Sequence, residues 1–155
     1  MQFINEQYKV VEEKSTDLYG TTYVVEDIQK SDSLKHLRTV NLQNETRDFI
    51  EYMKNNFYDY STYFHPNLIA FHFFNRIILI DYKQVTVNQY YYIYDYFEGI
   101  NVFEYCKGKH SDLILNLVAE LCAAVKFLHL RGFLLGSIDI NDLQVVHCED
   151  GDHLK

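Results

Sequence analysis

Two groups of side chains in this chain could do chemistry. In GSIDIND, Ser137, Asp139 and Asp142 follow one another at short steps. Carboxylates in such a loop can bind Mg²⁺, which prefers oxygen ligands, although solvated loop acids explain the same pattern. The second group is HCEDGDH at 147–153, where a metal site is conceivable. A hairpin with an Asp-Gly turn explains it better, because ligands that alternate across strand faces converge poorly on a metal.

Composition excludes several functions. The 155 residues carry a net charge of −8 and are 48% hydrophobic, which indicates one domain or a large part of one, with a real core. An acidic chain lacks the basic face that nucleic acids and anionic membranes require. Cys106, Cys122 and Cys148 form no Cys-x-x-Cys pair. With no transmembrane run and no signal peptide, we expect a cytoplasmic protein.

The first two thirds of the chain predict strands around one helix. Residues 8–28 indicate two strands with a turn near 15–20, and 34–42 a third strand. Residues 44–64 have apolar side chains at helical spacing, and Pro66 ends this helix. The aromatic and β-branched stretch that follows predicts two or three further strands.

The last third predicts two helices and a hairpin. A short helix follows Gly99, and a long helix begins near Ser111 as its N-cap and ends at Gly132 in a left-handed conformation. Residues 143–155 indicate a hairpin turning at Asp150-Gly151. Because strands and helices do not alternate, the fold class is α+β. The apolar stripe of the long helix comprises Ile114, Leu117, Val118, Leu121, Val125 and Leu128.

Five short motifs, in this order, resemble the N-terminal half of a eukaryotic-type protein kinase domain. DLYGTTYVV is similar to the end of the glycine-rich loop, and HPNLI to the loop between helix C and the fourth strand. YYIYDYFEGINVFEYC is similar to the fifth strand, the hinge and helix D. FLHLRG resembles the end of helix E, and LQVVHCEDGDHLK the hairpin before the DFG motif. The resemblance covers nearly the whole chain.

The resemblance implies a kinase N-lobe at 1–98, with a five-stranded antiparallel sheet and helix C. Residues 99–155 would be the beginning of a C-lobe, with helices D and E, a degenerate catalytic loop and a hairpin. Lys155 lies about three residues before the position of the DFG aspartate. We therefore expect the chain to be a fragment of a longer protein.

The kinase pattern is altered at the phosphate end of the site. An active site needs a glycine-rich lid and a lysine on the third strand. The three lid glycines fall on Ser15, Asp17 and Gly20, so only the last is kept. A carboxylate at Asp17 would disfavour a triphosphate. The lysine position falls on or near Arg38, whose geometry differs from that of lysine.

Helix C and the hinge also depart from the pattern. The helix C glutamate falls near Asn56, a neutral amide, and Glu51 lies more than one turn away. Tyr94 falls on the gatekeeper position; with Tyr90–Tyr92 it would fill the adenine pocket, pack in the core, or do both. Asp95 is the acidic hinge residue and, with Gly20 and Arg38, a candidate for nucleotide binding.

The catalytic loop lacks its catalytic residues. The HRD triplet falls on Leu135, Gly136 and Ser137, and a serine cannot accept the substrate proton as a carboxylate does. The loop lysine becomes Asp139, which reverses its charge. The metal-binding asparagine becomes Asp142, the one weak candidate for a metal ligand.

These changes predict a catalytically inactive, pseudokinase-type module rather than an enzyme, although the activity of the full-length protein stays open. It would bind a downstream domain of the same polypeptide or a signalling protein. General resemblance suggests a bacterial regulator with a diguanylate cyclase (GGDEF) output domain. We expect no cofactor, although the fold would allow ATP and Mg²⁺, and an oligomer is compatible with the sequence.

Two alternatives remain at this point. In an atypical ATP-binding serine/threonine kinase, Arg38 and Asp142 would serve the nucleotide and the metal. The other alternative is a small α+β interaction domain unrelated to kinases, which would lack the five-stranded sheet packed on one helix.

Overall fold

A computed structural model describes residues 2–30, 33–40, 47–85, 89–135, 138–149 and 151–155. The chain divides into two compact units. The first comprises Met1–Tyr63 and Ala70–Tyr96, and the second comprises Phe64–Ile69 and Phe97–Lys155. In the described part of the chain, no helix combines the length and apolar character needed to cross a membrane.

The first unit is built on a curled antiparallel sheet. Eight strands are present among the described residues, in the order β5-β8-β4-β3-β2-β1-β6-β7. The five longer strands are neighbours in the order β2-β3-β4-β8-β5, as expected for a kinase N-lobe. The strands are β1 Phe3–Ile4, β2 Tyr8–Thr16, β3 Thr21–Asp27, β4 Ser33–Val40, β5 Phe71–Arg76, β6 Leu79–Ile80, β7 Lys83–Gln84 and β8 Tyr90–Asp95.

The expected five-stranded sheet is present, and the short strands β1, β6 and β7 extend it. Each has two residues, which is too short for an alternating pattern to appear in the sequence. Asn5 holds β1 against β6. Its side-chain oxygen accepts hydrogen bonds from the backbone N–H groups of Ile78 and Leu79, and its amide donates to the Tyr91 hydroxyl. Asn5 has a positive φ of 52°, which asparagine tolerates better than most residues.

Side chains along β4 and β8 point alternately to the two faces of the sheet, and one of these faces packs into the main core. Leu37, Tyr91 and Ile93 are buried in the main core together with Val25 and Ile77. Because successive side chains of a strand point to opposite faces, their neighbours along β4 and β8 lie on the other face. The residues that could form a binding site are therefore on strands that the core holds rigidly.

Helix α1, Arg47–Ser61, packs on the edge of this sheet. Ile50 joins a second buried cluster with Val40 and Tyr90, and Phe57 stacks on Phe74 with ring centroids 5.8 Å apart. The sequence predicted this helix at 44–64, of which 44–46 lie outside the described residues. Its end before Pro66 is as predicted.

The second unit contains the two predicted helices and the predicted hairpin. Helix α3 packs through Leu117 against Val145 and Leu154 of the hairpin. Ser111 is the first helical residue rather than the N-cap, which is His110, and the predicted stripe residue Val118 is 49% exposed. The elements are β9 Gly99–Asn101, α2 Val102–Cys106, α3 Ser111–His129, a 3₁₀ turn Ile140–Asp142, β10 Gln144–Cys148 and β11 Gly151–Leu154.

The His-Pro-Asn loop is fixed to α3 and the hairpin of the same unit. The Asn67 side-chain amide donates to Glu120 Oε2 at 3.0 Å and to the Leu154 carbonyl at 2.9 Å. Glu120 Oε2 also accepts from the Leu154 backbone N–H at 2.7 Å. The Asn67 backbone N–H donates to His65 Nδ1. These hydrogen bonds fix the loop to α3 and to the hairpin, so Asn67 has a structural role.

Candidate functional site

The turn between β2 and β3 corresponds to the glycine-rich lid, and Asp17 organises it. Asp17 Oδ1 accepts hydrogen bonds from the backbone N–H groups of Tyr19 at 2.8 Å and Gly20 at 3.0 Å. The Asp17 N–H donates to the Gly20 carbonyl. An aspartate that binds backbone amides two residues on is a common way to stabilise a turn. The lid is therefore a tight turn closed by its own side chain.

Arg38 of β4 reaches this turn and pairs with Asp17. Its Nη2 lies 2.7 Å from both carboxylate oxygens. The Arg38 side chain is 19% exposed, whereas that of Asp17 is 51% exposed. The hydrogen bond from Arg38 is the main reason that the pKa of Asp17 lies below its usual value. Burial is the largest single effect on the pKa of Arg38 and lowers it, but the bond to Asp17 and the charge interactions with Asp17, Tyr92 and Tyr94 together outweigh burial and raise the pKa.

Gly20 is required by packing at the base of the turn. A Cβ on Gly20 would lie 1.8 Å from the carbonyl oxygen of Thr39, a distance no side chain can occupy. The Thr39 hydroxyl accepts a hydrogen bond from the backbone N–H of Thr21, the residue after Gly20. Close approach of two strands thus accounts for the one lid glycine that the chain keeps.

Protein side chains continue from Arg38 towards the hinge on the same sheet face. Arg38 Nη1 donates to the Thr22 hydroxyl at 2.9 Å. Thr22 also hydrogen-bonds Tyr94, whose pKa is raised by burial despite this bond. The His36 ring lies 5.1 Å from the rings of both Tyr94 and Tyr96. An uninterrupted row of contacts therefore links the lid to the end of β8.

In active kinases a glutamate on the helix that corresponds to α1 pairs with the cation of the third strand, and this chain has no such pair among the described residues. Asn56, at the glutamate position, donates its side-chain amide to the Tyr52 carbonyl of its own helix at 2.8 Å. Glu51 is exposed on the helix surface. The carboxylate that neutralises Arg38 therefore comes from the lid, at Asp17, and not from α1.

Asp95 lies on the opposite face of the sheet from Arg38. Its carboxylate is 2.9 Å from Lys35 Nζ and 2.6 Å from His72 Nε2. Lys35 is one residue before His36, so alternation places the two on different faces. Burial raises the pKa of Asp95, but bonds to His72 and Lys35 outweigh it and hold the pKa below its usual value. The structure thus brings Gly20 and Arg38 together but keeps Asp95 apart.

The loop that the sequence predicts to match the kinase catalytic loop is only partly described. Ser137, with Gly136, lies outside the described residues. Asp139 Oδ1 accepts from the Asn141 backbone N–H at 2.8 Å and so caps the 3₁₀ turn. Asp142 ends that turn and is exposed. Capping explains Asp139 without a bound ligand.

The cluster at 147–153 is a surface arrangement on the hairpin. His147 Nδ1 lies 2.6 Å from Asp152 Oδ1, and the Tyr105 hydroxyl donates to the other oxygen of Asp152. Asp150 lies outside the described residues. Among the residues that the structure describes, no group of three or more His, Cys, Asp or Glu side chains is arranged to hold a metal ion.

The sequence did not indicate the pairing of Asp17 with Arg38, nor the places of Thr22, His36 and Tyr96 in the row of contacts from the lid to the end of β8. Sequence reasoning treated Asp17 only as a charge that repels phosphate, because nothing local indicates a contact with Arg38, 21 residues away. It also passed over His36. The V-A-I-K pattern could have revealed it, since a lysine position at Arg38 puts the small alanine of the pattern at His36. A ring in place of a methyl group puts a large side chain at this position, where it contacts Tyr94 and Tyr96.

The sheet order, the packed helix and the hinge, helix and hairpin elements together define a protein-kinase-like fold. Solved kinase domains have the same arrangement. The PknI kinase domain of Mycobacterium tuberculosis superposes with a TM-score of 0.74 at 17% identity, covering 96% of this chain and 58% of that one. A single mutant of that kinase domain gives a TM-score of 0.75 at 16% identity, with 98% and 59% covered. A double mutant gives 0.76 at 17% identity, with 97% and 60% covered.

At this identity the likeness shows the fold alone, and the chain spans about three fifths of the length of these kinase domains. No family model matches the sequence, and no curated protein does. The fold resemblance read from five short motifs is confirmed. The structure contains the five longer strands packed on one helix, whose absence would have supported the alternative of an α+β domain without a kinase-like fold.

Proposed function

We propose that this chain is a catalytically inactive, pseudokinase-type module that works by binding rather than by phosphoryl transfer. The observation that carries the proposal is the ion pair between Arg38 and Asp17. Arg38 stands where a kinase needs a cation for the phosphates of ATP. A carboxylate from the lid now neutralises that cation, so its charge is already used inside the protein.

Two further features support this proposal. The α1 position that should hold and orient the cation carries Asn56, whose amide is bonded within its own helix. By sequence, the position of the catalytic aspartate is Ser137, which has no carboxylate to accept the proton of a substrate hydroxyl. Loss of either the carboxylate that orients the cation or the catalytic aspartate lowers the rate of phosphoryl transfer strongly, because this reaction relies on positioning and charge stabilisation.

The module would act as a signal-input or interaction domain. Its partner would be another domain of the same polypeptide, for which a diguanylate cyclase is our candidate, or a separate signalling protein. ATP and Mg²⁺ fit the fold in general, but the role proposed here needs neither. The sheet and α1 would present a surface whose state is passed to that partner.

A phosphotransfer assay with labelled ATP and Mg²⁺ tests the proposal. We expect no transfer to the chain itself or to a generic protein substrate. The Asp142→Ala and Asp139→Ala variants serve as a matched pair, since only Asp142 falls on a metal-binding position. Transfer by the wild type that is lost in Asp142→Ala but kept in Asp139→Ala would contradict the proposal and favour an atypical kinase.

A further inference from the structure

We propose that the groups around Asp17 form a latent binding site for phosphate anions, which Asp17 itself occupies. This inference rests on the proposed function, because it explains how a kinase-like cleft stays closed to nucleotides. The ligand class is a polyphosphate, either inorganic or the phosphate tail of a nucleotide, and the base is not recognised.

The donors converge on one carboxylate in the way that donors surround a bound phosphate. Asp17 Oδ1 accepts from the Tyr19 and Gly20 backbone N–H groups and from Arg38 Nη2, at 2.8, 3.0 and 2.7 Å. Oδ2 takes a second contact from Arg38 at 2.7 Å. Consecutive backbone amides beside a guanidinium are a recurring anion site in proteins. In this chain the anion is supplied by the turn itself.

The internal carboxylate excludes an external anion for two reasons. It is held in place by its own chain, so it competes without the entropy cost that a free ligand pays on binding. A phosphate approaching Arg38 would also meet a like charge at contact distance, which is repulsive even where water screens it. Wild-type protein should therefore bind phosphate anions only weakly.

The rings at the far end of the row of contacts, near the end of β8, explain why the base of a nucleotide would not be recognised. His36 is buried, and its ring lies against those of Tyr94 and Tyr96 at 5.1 Å. Stacked rings leave no slot for a further aromatic base between them. Opening the site at Asp17 would thus expose donors for phosphate without exposing a pocket for adenine or guanine.

The test is titration calorimetry with inorganic tripolyphosphate on the Asp17→Ser variant. A serine hydroxyl can still accept a bond from the turn amides but cannot reach and neutralise Arg38. We expect binding about tenfold tighter than in the wild type, as the loss of one like charge near the surface allows. ATP and GTP should bind Asp17→Ser with the same affinity as tripolyphosphate.

Two controls isolate the site. Glu13→Gln makes the same change in net charge in the same hairpin, where Glu13 accepts a bond from the Thr16 hydroxyl, and it should not tighten binding. The double variant Asp17→Ser, Arg38→Gln should return to wild-type affinity. If Asp17→Ser fails to fold, Asp17→Asn keeps the shape of the turn and removes only the charge.

Three results would overturn the inference: no gain in the Asp17 variants, a gain that survives Arg38→Gln, or ATP binding much tighter than tripolyphosphate. None of these bears on catalysis by the wild type. Phosphotransfer by unmodified protein would instead defeat the proposed function, so the two failures can be told apart.

Discussion

Asp17 and Arg38 connect the lid turn to the middle of the sheet, and their pairing changes what each residue does. In isolation, Arg38 is a cation at a phosphate position, and Asp17 is a turn-forming acid. Together they form an ion pair of 2.7 Å with one partner well covered and the other half exposed. Because solvent screens such a pair, its contribution to stability is modest. We propose that its main consequence is for ligand binding.

The Asp17 carboxyl should titrate below the usual range of aspartate, and Arg38→Gln should raise its pKa towards that range. The sign follows from linkage: a depressed folded-state pKa adds stability above the unfolded-state pKa, and this is lost as the pH falls through the folded-state pKa. Carboxyl ¹³C NMR during an acid titration measures it. Lys9→Gln, which removes a cation paired with Glu26 in the same hairpin, should leave Asp17 unchanged. An Asp17 pKa that is unchanged in the Arg38→Gln variant would contradict the ion pair between these two residues.

Gly20→Ala should destabilise the fold by about 3 kcal/mol, the upper range for overpacking. The added Cβ would meet the Thr39 carbonyl, so two strands must move apart. Gly132→Ala is the matched comparison, since Gly132 has a φ of +78° but open space around it. That change should cost only about 1 kcal/mol, from backbone strain alone. Urea unfolding measures the free energy of unfolding of both variants. Equal losses of stability would contradict the close approach of Gly20 to the Thr39 carbonyl.

Among the elements, those with a strong local pattern were predictable from the sequence. The β2–β3 hairpin, helix α3 and the left-handed Gly132 all follow from alternation, helical spacing and turn chemistry. The short strands β1 and β6 were not predictable, because they depend on Asn5 bonding to residues more than 70 positions away. The exposure of Val118 was also missed, since periodicity defines a stripe but not which neighbours cover it.

The His-Pro-Asn loop gives a prediction about how elements are joined. Asn67→Ala should cost about 1–2 kcal/mol, because it removes bonds to Glu120 and the Leu154 carbonyl. Asn67→Asp should cost more at neutral pH, because a second carboxylate would face Glu120. Asn55→Ala, an exposed asparagine on α1, should be near neutral. Thermal unfolding of the three variants measures this, and equal stability of all three would mean that Asn67 does not anchor the loop.

For the molecule as a whole, the division of strands into two faces explains how a kinase-like fold persists with an altered site. On β4, Leu37 enters the core while Arg38 lies on the other face, and β8 divides Ile93 from Tyr94 in the same way. Substitutions at Arg38 or Tyr94 therefore leave the main core around Leu37 intact, although Val40 and Tyr90 form a second buried cluster on the same face as Arg38. The sequence revealed the lost glycines and the neutral Asn56, since these follow from motif positions. It could not reveal the contacts that run from Asp17 through Arg38 and Thr22 to Tyr94, because these depend on how the strands pair.

We propose that side chains of the first unit, from Asp17 and Arg38 to His36 and Tyr94, occupy the positions that a nucleotide would need. A thermal shift assay with ATP, with and without Mg²⁺, tests this most directly. A ligand that binds only the folded state raises Tm, and a concentration one hundred times the Kd adds about 2.7 kcal/mol. An active kinase domain run in parallel shows that the assay responds. We predict no change in Tm at millimolar ATP. A clear rise that requires Mg²⁺ would contradict the account and identify the chain as a nucleotide-binding domain.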